Sequence, residues 1–507
     1  MKRLLILLLA MCLLFCGCTA EGDYIPTGGG LSDGTTPTLA PITQDPQELI
    51  LTYYPDKGFH PYKTTDPTNR ALFSLIYQGL FAVDAEYAVT PMLCKSYRMS
   101  ADMRSYTFYL EKATFSDGRF VTAGDVVASL RAARADGYYE GRFTHIRTID
   151  ETADGGVTIT LDTPCDSLPM LLDIPIIPAD QLESAAPLGT GPYMLEDTAT
   201  GKRLRRQVAW WGNLQVMGNT QIIALQEGQS PSQIRDLFEF SQLSMVCTDP
   251  GSDSYVDFRG DYELWESENG LFLYLACNEE SKVFSKSAIR KALTHAIDRD
   301  YLVKEFFRGF AHSTYLPASP SFPYYKETLA ERYGYDPEAF AQAVEQAALE
   351  DNTVIFLVNK DDSRRLRAAR RIADMLKAGG LNVTMSELPG AEFLEALKEG
   401  EYDLYMGQTK LSPNMDLTEF FAEDGSLNYG GMTDVAAYAM SLEALANGGN
   451  YESLHKMVME DGQLCPILFR SYAIYGRRGQ ISGLQPARDN IFYYSLGKTM
   501  LEAQLSD

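Results

Sequence analysis

The chain has 507 residues, of which 45% are hydrophobic and 22% charged, a globular composition that excludes wholesale disorder. At about 150 residues per domain, this length predicts about three domains. Acidic residues outnumber basic ones by 68 to 44, and the formal net charge is -24. Such a chain repels phosphate backbones, which argues against nucleic acid as a partner. It also repels anionic lipids, so attachment to a membrane requires a covalent or apolar anchor.

The N-terminus has the pattern of an export signal. Two basic residues precede an apolar run over residues 4–15, which has the length of a signal-peptide core and is too short to span a bilayer comfortably. The run ends in Phe15-Cys16-Gly17-Cys18, which resembles a bacterial lipobox, where a small residue precedes the cysteine that is diacylated. We therefore predict a lipoprotein signal peptide over residues 1–17 and lipidation of Cys18. An ordinary secretory signal with incidental cysteines is the alternative.

The segment that follows the predicted lipid anchor has the composition of a tether. Gly, Thr and Pro dominate residues 19–46 and no apolar periodicity is present, which is typical of a flexible linker. A flexible coil of this length has a root-mean-square end-to-end distance of about 30 Å. The sequence thus predicts a folded body that is lipid-anchored to the outer face of the cell membrane, on the periplasmic side if the organism has an outer membrane.

Alternating and periodic apolar residues predict the elements of the first half of the body. Thr122 and Asp125 have the spacing of a capping box before a helix. The segment 78–180 is therefore interpreted as a compact α+β unit. The predicted elements are a strand at 48–54, a helix at 72–80, strands at 106–110 and 157–161 on either side of a helix at 126–134, and a helix near 232–240.

The second half begins with a continuous apolar run at 271–276, which predicts a strand buried on both faces. An apolar helical stripe follows over 289–297, and Asp298 can cap a second helix that Gly309 closes. A βαβαβ order then predicts a mostly parallel sheet, whose ligands bind beyond the carboxyl ends of the strands. Its elements are predicted at 354–358, 363–378, 381–385, 391–398 and 402–406.

The chain offers no recognisable catalytic or metal-binding motif. Its five histidines lack metal-ligand spacing, and no nucleophile elbow, P-loop or dinucleotide fingerprint is present. We therefore predict that the protein is not an enzyme and needs no cofactor or metal. Five cysteines of the body are scattered and odd in number, which favours small buried residues and leaves their disulfide state open. These are Cys94, Cys165, Cys247, Cys277 and Cys465.

Several segments in order resemble one family, the extracellular solute-binding proteins of family 5, which are dipeptide-, oligopeptide- and nickel-binding lipoproteins of ABC importers. The resemblance spans about 48–500. It is carried by YTFYLEKATFSDGRFVTAGDVVASL (106–130), PLGTGPYML (187–195), VAWWGN (208–213), LACNEESKVFSKSAIRKALTHAIDRDYLV (275–303) and YDPEAF (335–340).

The resemblance implies an α/β, two-lobed, periplasmic-binding-protein-like fold (type II, cluster C-like) with an inserted α+β subdomain. The two strands that cross between the lobes are expected near 271–277 and 465–470. Closure of the lobes buries the ligand, which must therefore prefer the closed state. The implied segments are a discontinuous lobe I at 47–77, 187–270 and 457–507, the inserted subdomain at 78–186, and lobe II at 271–456, after the signal peptide (1–17) and the tether (18–46).

The resemblance also suggests where a ligand binds. In peptide-binding members an Asp just after the strand that matches 402–406 takes the α-ammonium of the peptide. Here direct alignment places Lys410 or Leu411 at that position, and only a gap brings in Asp416; Gln408 stands where Trp is common. An anionic or N-blocked ligand becomes plausible if Lys410 faces the cleft. The candidate ligand-binding residues are Asn278, Asn359, Lys360, Gln408, Lys410, Asp416 and Tyr429.

The function implied is that of a monomeric, extracellular, lipid-anchored substrate-binding protein of an ABC importer. It would capture peptides or a peptide-like solute and deliver them to permease subunits in the membrane. A metal chelate such as a nickel complex is the alternative ligand. A sensor or adhesin without its own permease is the alternative use of the same fold, and a secreted hydrolase is a third alternative.

Overall fold

The computed structural model describes residues 49–199, 201–212, 222–429, 432–481, 484, 486–488 and 490–492, all of which belong to one compact unit, Pro46–Asp507. The predicted signal peptide, the lipidation site Cys18 and the tether lie outside the described residues. No helix within the described ranges combines the length and the apolar character needed to cross a bilayer.

Strands predominate in the first half of the described chain, and helices are more frequent in the second half. The strands are β1 (Leu49–Tyr53), β2 (Phe81–Val83), β3 (Val89–Pro91), β4 (Cys94–Met99), β5 (Ser105–Leu110), β6 (Ile146–Glu151), β7 (Val157–Leu161), β8 (Tyr193–Thr198), β9 (Gly201–Arg206), β10 (Ile222–Glu227), β11 (Met245–Thr248), β12 (Tyr262–Cys277), β13 (Ala311–Ser313), β14 (Thr353–Asn359), β15 (Asn382–Leu388), β16 (Leu404–Lys410) and β17 (Leu464–Arg477). The helices are α1 (Pro67–Ala71), α2 (Phe73–Ile76), α3 (Ala123–Ala135), α4 (Pro231–Glu239), α5 (Ser287–Leu293), α6 (Arg299–Phe306), α7 (Glu327–Ala330), α8 (Pro337–Gln346), α9 (Ser363–Ala378), α10 (Gly390–Glu399), α11 (Thr418–Phe421), α12 (Val435–Ala446) and α13 (Tyr451–Asp461).

The strands form four sheets. One has the order β1-β10-β9-β8, a second is antiparallel with the order β4-β5-β7-β6, and β2 and β3 form a hairpin. The largest has the order β11-β17-β12-β16-β14-β15, with β13 on β17. In it β14 is parallel to β15 and to β16, as the βαβαβ pattern predicts, whereas β12 is antiparallel to β16 and β17. The large sheet is therefore mixed.

Local capping patterns confirm several predicted helices. Thr122 and Asp125 form the predicted capping box at the start of α3. The side chain of Asp298 accepts a hydrogen bond from the backbone N–H of Tyr301 and so begins α6. Gly309 has φ +82° after that helix, a conformation that glycine adopts without the steric cost of a side chain.

Two elements differ from the prediction. The helix expected over 72–80 ends at Ile76, and the chain then passes so close to the segment 172–174 that a Cβ at Gly79 would lie 2.8 Å from the carbonyl carbon of Asp173. The strand expected over 271–276 begins already at Tyr262. Its polar first half has no apolar run to reveal it, but pairs with β17.

The core confirms that the apolar half of β12 is buried on both faces. Leu273, Leu275 and Cys277 belong to a cluster with α5, α6 and α9, while Phe272 and Tyr274 belong to a cluster on the opposite face. This alternation follows from the two-residue period of a strand. The second cluster also contains Val83 and Tyr87 of the β2–β3 hairpin, so residues far apart in sequence share one core.

Candidate functional site

A cavity of about 180 Å³ lies where the β2–β3 hairpin, β12, β13 and the segment 486–488 meet. Concave sites that combine apolar walls with a few convergent polar groups are where small ligands bind. Four acidic side chains, one histidine and one arginine contribute to the lining: Asp84, Asp173, Glu266, Glu268, His312 and Arg488. We refer to this feature as the central cavity.

Glu268 joins three segments at the central cavity. Its two carboxylate oxygens accept hydrogen bonds from the hydroxyls of Tyr87 at 2.8 Å and of Ser319 at 2.5 Å. Burial raises the pKa of Tyr87 well above its usual value, which keeps this phenol a neutral donor. The charge of Glu268 is therefore fixed in place by hydroxyl donors from the hairpin and from the loop after β13.

Two further acids of the lining have basic neighbours. Oε1 of Glu266 lies 3.3 Å from Nε2 of His312, a residue that the pairing of β13 with β17 holds opposite Phe469. Asp173 pairs with Arg142, whose side chain is 4% exposed. Glu266, Glu268 and Asp173 thus each contact a different partner.

Arg488 brings a guanidinium to the same lining from the far end of the chain. Its Nη2 donates to the backbone carbonyl of Leu411, the residue that follows β16. The lining of the central cavity therefore contains a guanidinium as well as carboxylates, which suits a charged ligand.

A second group of contacts surrounds Arg470 on β17. Its guanidinium lies 3.1 Å from a carboxylate oxygen of Asp249, which follows β11, and 3.4 Å from one of Asp362, which caps α9. It also donates to Oε1 of Gln408 at 3.2 Å. Arg470 is 5% exposed, so this network is a buried connection from β17 to three other segments.

A third group of contacts joins the segment after α3 to the segment after β16. Nε2 of His145 lies 2.9 Å from Oδ2 of Asp416 and 3.0 Å from Oγ1 of Thr418. Nζ of Lys410 lies 3.8 Å from the centre of the Tyr138 ring, which is a cation–π contact. The two side chains of the His145–Asp416 pair are only 16% and 8% exposed.

The pKa values of this pair move in opposite directions. Burial alone would lower the pKa of His145, but the hydrogen bond and the charge of Asp416 outweigh burial and raise it. Burial would raise the pKa of Asp416, but the hydrogen bond from His145 and its charge lower it, with further bonds from Thr418. Both directions favour an ion pair over two neutral groups.

The structure places the remaining predicted site residues as follows. Asn278 is buried, its amide donating to the carbonyl of Tyr402 and accepting from the backbone of Glu280, each at 3.0 Å. Oδ1 of Asn359 accepts from the backbone of Asp361 at 2.8 Å. Lys360 is exposed. The ring of Tyr429 lies 6.2 Å from that of Tyr405.

None of the seven predicted ligand-binding residues is among the described residues that line the central cavity, and a role in ligand binding stays a prediction for each. The sequence does carry one signal for the residues that do line it. Glu266 and Glu268 lie two apart in a strand, so both point to one face, with Ser267 buried on the other. No pattern of neighbouring residues indicates that Arg488 joins them.

Metal coordination by the protein itself finds no support in the described ranges. They contain no group of three or more His, Cys, Asp or Glu side chains arranged to hold a metal ion. The five cysteines left open by the sequence are buried and free of disulfides. Burial raises the pKa of Cys94 and of Cys165 to about 11, so these thiols stay protonated and unreactive at neutral pH.

The fold is that of the two-lobed periplasmic binding proteins, as the similarity to the solved structures described below shows. The family follows from the sequence: residues 88–426 match the model of the bacterial extracellular solute-binding proteins, family 5 Middle. The chain belongs to this family.

One protein similar in sequence and two solved structures similar in fold are described here. The glutathione-binding protein GsiB of Salmonella choleraesuis (strain SC-B67) is 27% identical over 318 residues, which cover 57% of this chain and 59% of that protein. The crystal structure of NikA from Brucella suis with Fe(III)-EDTA has a TM-score of 0.66 at 19% identity, covering 85% of this chain and 95% of that one. The ABC transporter substrate-binding protein CtaP of Listeria monocytogenes has a TM-score of 0.69 at 16% identity, with coverages of 89% and 98%.

Proposed function

We propose that this chain is the substrate-binding protein of an ABC importer and that it captures short peptides or a peptide-like solute between its lobes. Membership of the solute-binding family supports the import role. The observation that carries the ligand class is the lining of the central cavity, which includes Arg488 as well as Glu266 and Glu268. A peptide has a carboxylate and an ammonium, and so complements a site with charges of both signs.

The size of the central cavity supports a short ligand. One water requires about 10–15 Å³ of cavity on the same scale, so 180 Å³ corresponds to about 12 to 18 water-sized positions. This suits a di- or tripeptide better than a long chain. The relative GsiB is named for glutathione, which is itself a tripeptide, and this agrees with the proposed class.

Native mass spectrometry of the full chain, extracted from membranes in detergent and never refolded, tests the ligand class. We expect a set of bound masses that resolve into peptides of two to a few residues when the protein is denatured. A single non-peptide mass would contradict this proposal. A polycarboxylate metal chelate is the second candidate, because the guanidinium of Arg488 suits its carboxylates as well, and it would reveal itself by the isotope pattern of its metal.

We further propose that the protein is attached to the outer face of the membrane through lipid on Cys18 and acts as a monomer. The basic residues, apolar run and lipobox-like end of the N-terminus support this. Metabolic labelling with a fatty acid is expected to label the wild type and Cys16→Ser but not Cys18→Ser. Label that survives in Cys18→Ser would contradict the assignment.

Use of the fold as a sensor or adhesin is distinguished by transport. Cells that depend on an external peptide for an essential amino acid are expected to stop growing when this gene is deleted, and to recover when it is restored. Growth that is unaffected by the deletion, in cells with no second importer for that peptide, would favour the sensor or adhesin.

A further inference from the structure

Two parts of the chain that lie far apart in sequence meet through polar contacts. His145 follows α3, in the segment that the sequence analysis assigns to the inserted subdomain, and Asp416 follows β16, in the segment assigned to lobe II. Between the same two segments, the backbone N–H of Asp166 donates to the carbonyl of Leu445 at 3.0 Å. Because opening of the lobes separates these segments, the contacts belong to the closed arrangement.

Asp416 is prepared for a partner on one of its two carboxylate oxygens. The backbone N–H and the hydroxyl of Thr418 both donate to Oδ1, each at 2.8 Å, whereas Oδ2 lies 2.9 Å from Nε2 of His145. The two side chains of the His145–Asp416 pair are nearly enclosed, so solvent screens their interaction little. Histidine is the side chain whose ordinary pKa lies between pH 5 and 8, so the strength of this contact depends on pH near neutrality.

The charged groups around His145 favour its protonated form. Burial lowers the pKa of His145, but the hydrogen bond and the charge of Asp416, together with the charges of Glu419 and Asp162, outweigh burial and raise it. Glu419 lies on α11, and Asp162 comes directly after β7. Asp162 also pairs with Arg147, but in that pair the side chains are 62% and 50% exposed, so solvent weakens the influence of this cation on the imidazole.

Three further titratable groups lie near Asp416. Cys165 and Tyr451 interact with its carboxylate, and Asp166 lies beside Cys165. Burial raises the pKa of Cys165 to about 11 and that of Tyr451 well above its usual value, so both are neutral near pH 7. Burial also raises the pKa of Asp166. None of these three groups is a cation, so the change of charge near neutrality at this contact comes from His145.

We infer that the His145–Asp416 pair is a pH-operated latch between the inserted subdomain and lobe II, which closes the lobes on a solute more strongly in mildly acidic than in mildly alkaline medium. The inference goes beyond the proposed function and rests on the capture of a solute between two lobes. The pKa of His145 is raised in the closed arrangement. The latch is therefore complete below the ordinary histidine pKa and is lost as the pH rises through the raised pKa.

The test counts open and closed molecules directly. Lys95→Cys and Lys398→Cys replace exposed residues, one in each of the two parts, and carry a pair of pH-insensitive fluorophores. Single-molecule energy transfer is recorded on the full chain in detergent, without solute. The ratio of closed to open molecules is expected to be at least about 5-fold higher at pH 5.5 than at pH 8.5. Calorimetry with trialanine at the same two pH values is expected to show tighter binding at pH 5.5, because the solute prefers the closed state.

Three variants assign the effect to the pair. His145→Gln keeps a neutral hydrogen-bond donor that cannot be protonated, and Asp416→Asn removes the anion. Both are expected to give the same closed-to-open ratio at the two pH values. His295→Gln is the matched control and is expected to keep the wild-type dependence, since Nδ1 of His295 lies 2.7 Å from the backbone carbonyl of Gly334. Circular dichroism and thermal unfolding check that the variants are folded.

The outcomes separate the latch from the proposed function. If the wild-type ratio is equal at both pH values, or if His145→Gln keeps the dependence, the inference is wrong. His312 and Glu266 form another histidine–carboxylate contact, at 3.3 Å, and a dependence that His312→Gln abolishes while His145→Gln keeps it would also overturn the inference. If trialanine does not bind at either pH while the lobes still respond to pH through His145, the peptide function fails and the latch stands. A dependence that His145→Gln and Asp416→Asn abolish and His295→Gln keeps supports the latch.

Discussion

Replacing His145 with glutamine is expected to weaken the contact between the segment after α3 and the segment after β16. The side chains of His145 and Asp416 lie 2.9 Å apart and are 16% and 8% exposed, so the solvent screening of a surface pair does not apply. Removing one partner of a buried pair costs about 3–5 kcal/mol. Two donors from Thr418 remain on Oδ1 of Asp416, each at 2.8 Å, and glutamine can still donate one bond. We therefore expect a loss of about 2–3 kcal/mol.

The effect should depend on pH with a defined sign. The pKa of His145 is raised in the folded protein. Its contribution to the free energy of unfolding is therefore complete below the ordinary histidine pKa and is lost as the pH rises through the raised pKa. The pKa of Asp416 is lowered, so its contribution is present above the ordinary aspartate pKa and is lost as the pH falls through the lowered value. The loss caused by His145→Gln is thus expected to be largest between about pH 4.5 and 6.5 and to shrink above pH 8.

Thermal unfolding of the full chain at pH 5.5 and at pH 8.5 measures this difference for wild type, His145→Gln, Asp416→Asn and the double variant. The double variant should lose less than the sum of the single losses, because both remove the same interaction. Arg147→Gln is the control on the neighbouring part of β6, where Arg147 and Asp162 form an exposed pair, and it should change little at either pH. Equal losses at both pH values, or strictly additive losses, would refute the buried ion pair.

Three further changes test other parts of the fold. Arg470→Met leaves the half-buried Asp249 and Asp362 without this ionic partner, and urea unfolding should show that the free energy of unfolding falls by about 3 kcal/mol. An unchanged urea midpoint would contradict the network. Gly189→Ala places a Cβ on the carbonyl oxygen of Ile76, so the soluble yield and the thermal midpoint should fall sharply; a wild-type midpoint would rule out that contact. Burial lowers the pKa of His455 to about 3, so the neutral folded-state imidazole reduces the free energy of unfolding as the pH falls below about 6.5. His455→Leu should therefore flatten the decline of stability at acid pH. A stability–pH curve identical to that of wild type would contradict this prediction.

The elements that the sequence predicts well are those with local causes. Asp362 accepts hydrogen bonds from two backbone N–H groups at the start of α9, and the predicted and observed bounds of that helix agree. The helix expected over 72–80 fails because its end is set by residues 172–174, which lie about a hundred positions away. Apolar periodicity depends on residues that are close along the chain. It carries no information about a segment that is distant in sequence and close in space.

The same limit applies to the candidate site. Asp416 is visible in the sequence as a carboxylate near the expected ligand strand, but its partner His145 lies 271 positions earlier, so the sequence leaves its role open between ligand contact and internal ion pair. Glu266 and Glu268 share a strand face, whereas Arg488 comes to the same cavity from a distant part of the chain, with its guanidinium over Gly270. A cavity built from such distant pieces has no compact motif.

In the proposed mechanism, the contacts of the two lobes divide into those that the protein makes alone and those that a ligand completes. The pairs His145–Asp416 and Arg470–Asp362 join segments that the sequence analysis assigns to different parts of the fold, and they use protein groups at both ends. They therefore contribute to closure by the same amount whichever solute is bound. Contacts between a bound solute and the lining of the central cavity contribute only when that solute is present. A ligand shifts the balance between open and closed lobes only by its difference in affinity for the two states. Selectivity for closure therefore depends on the groups that contact the solute, and the pairs within the protein do not contribute to it.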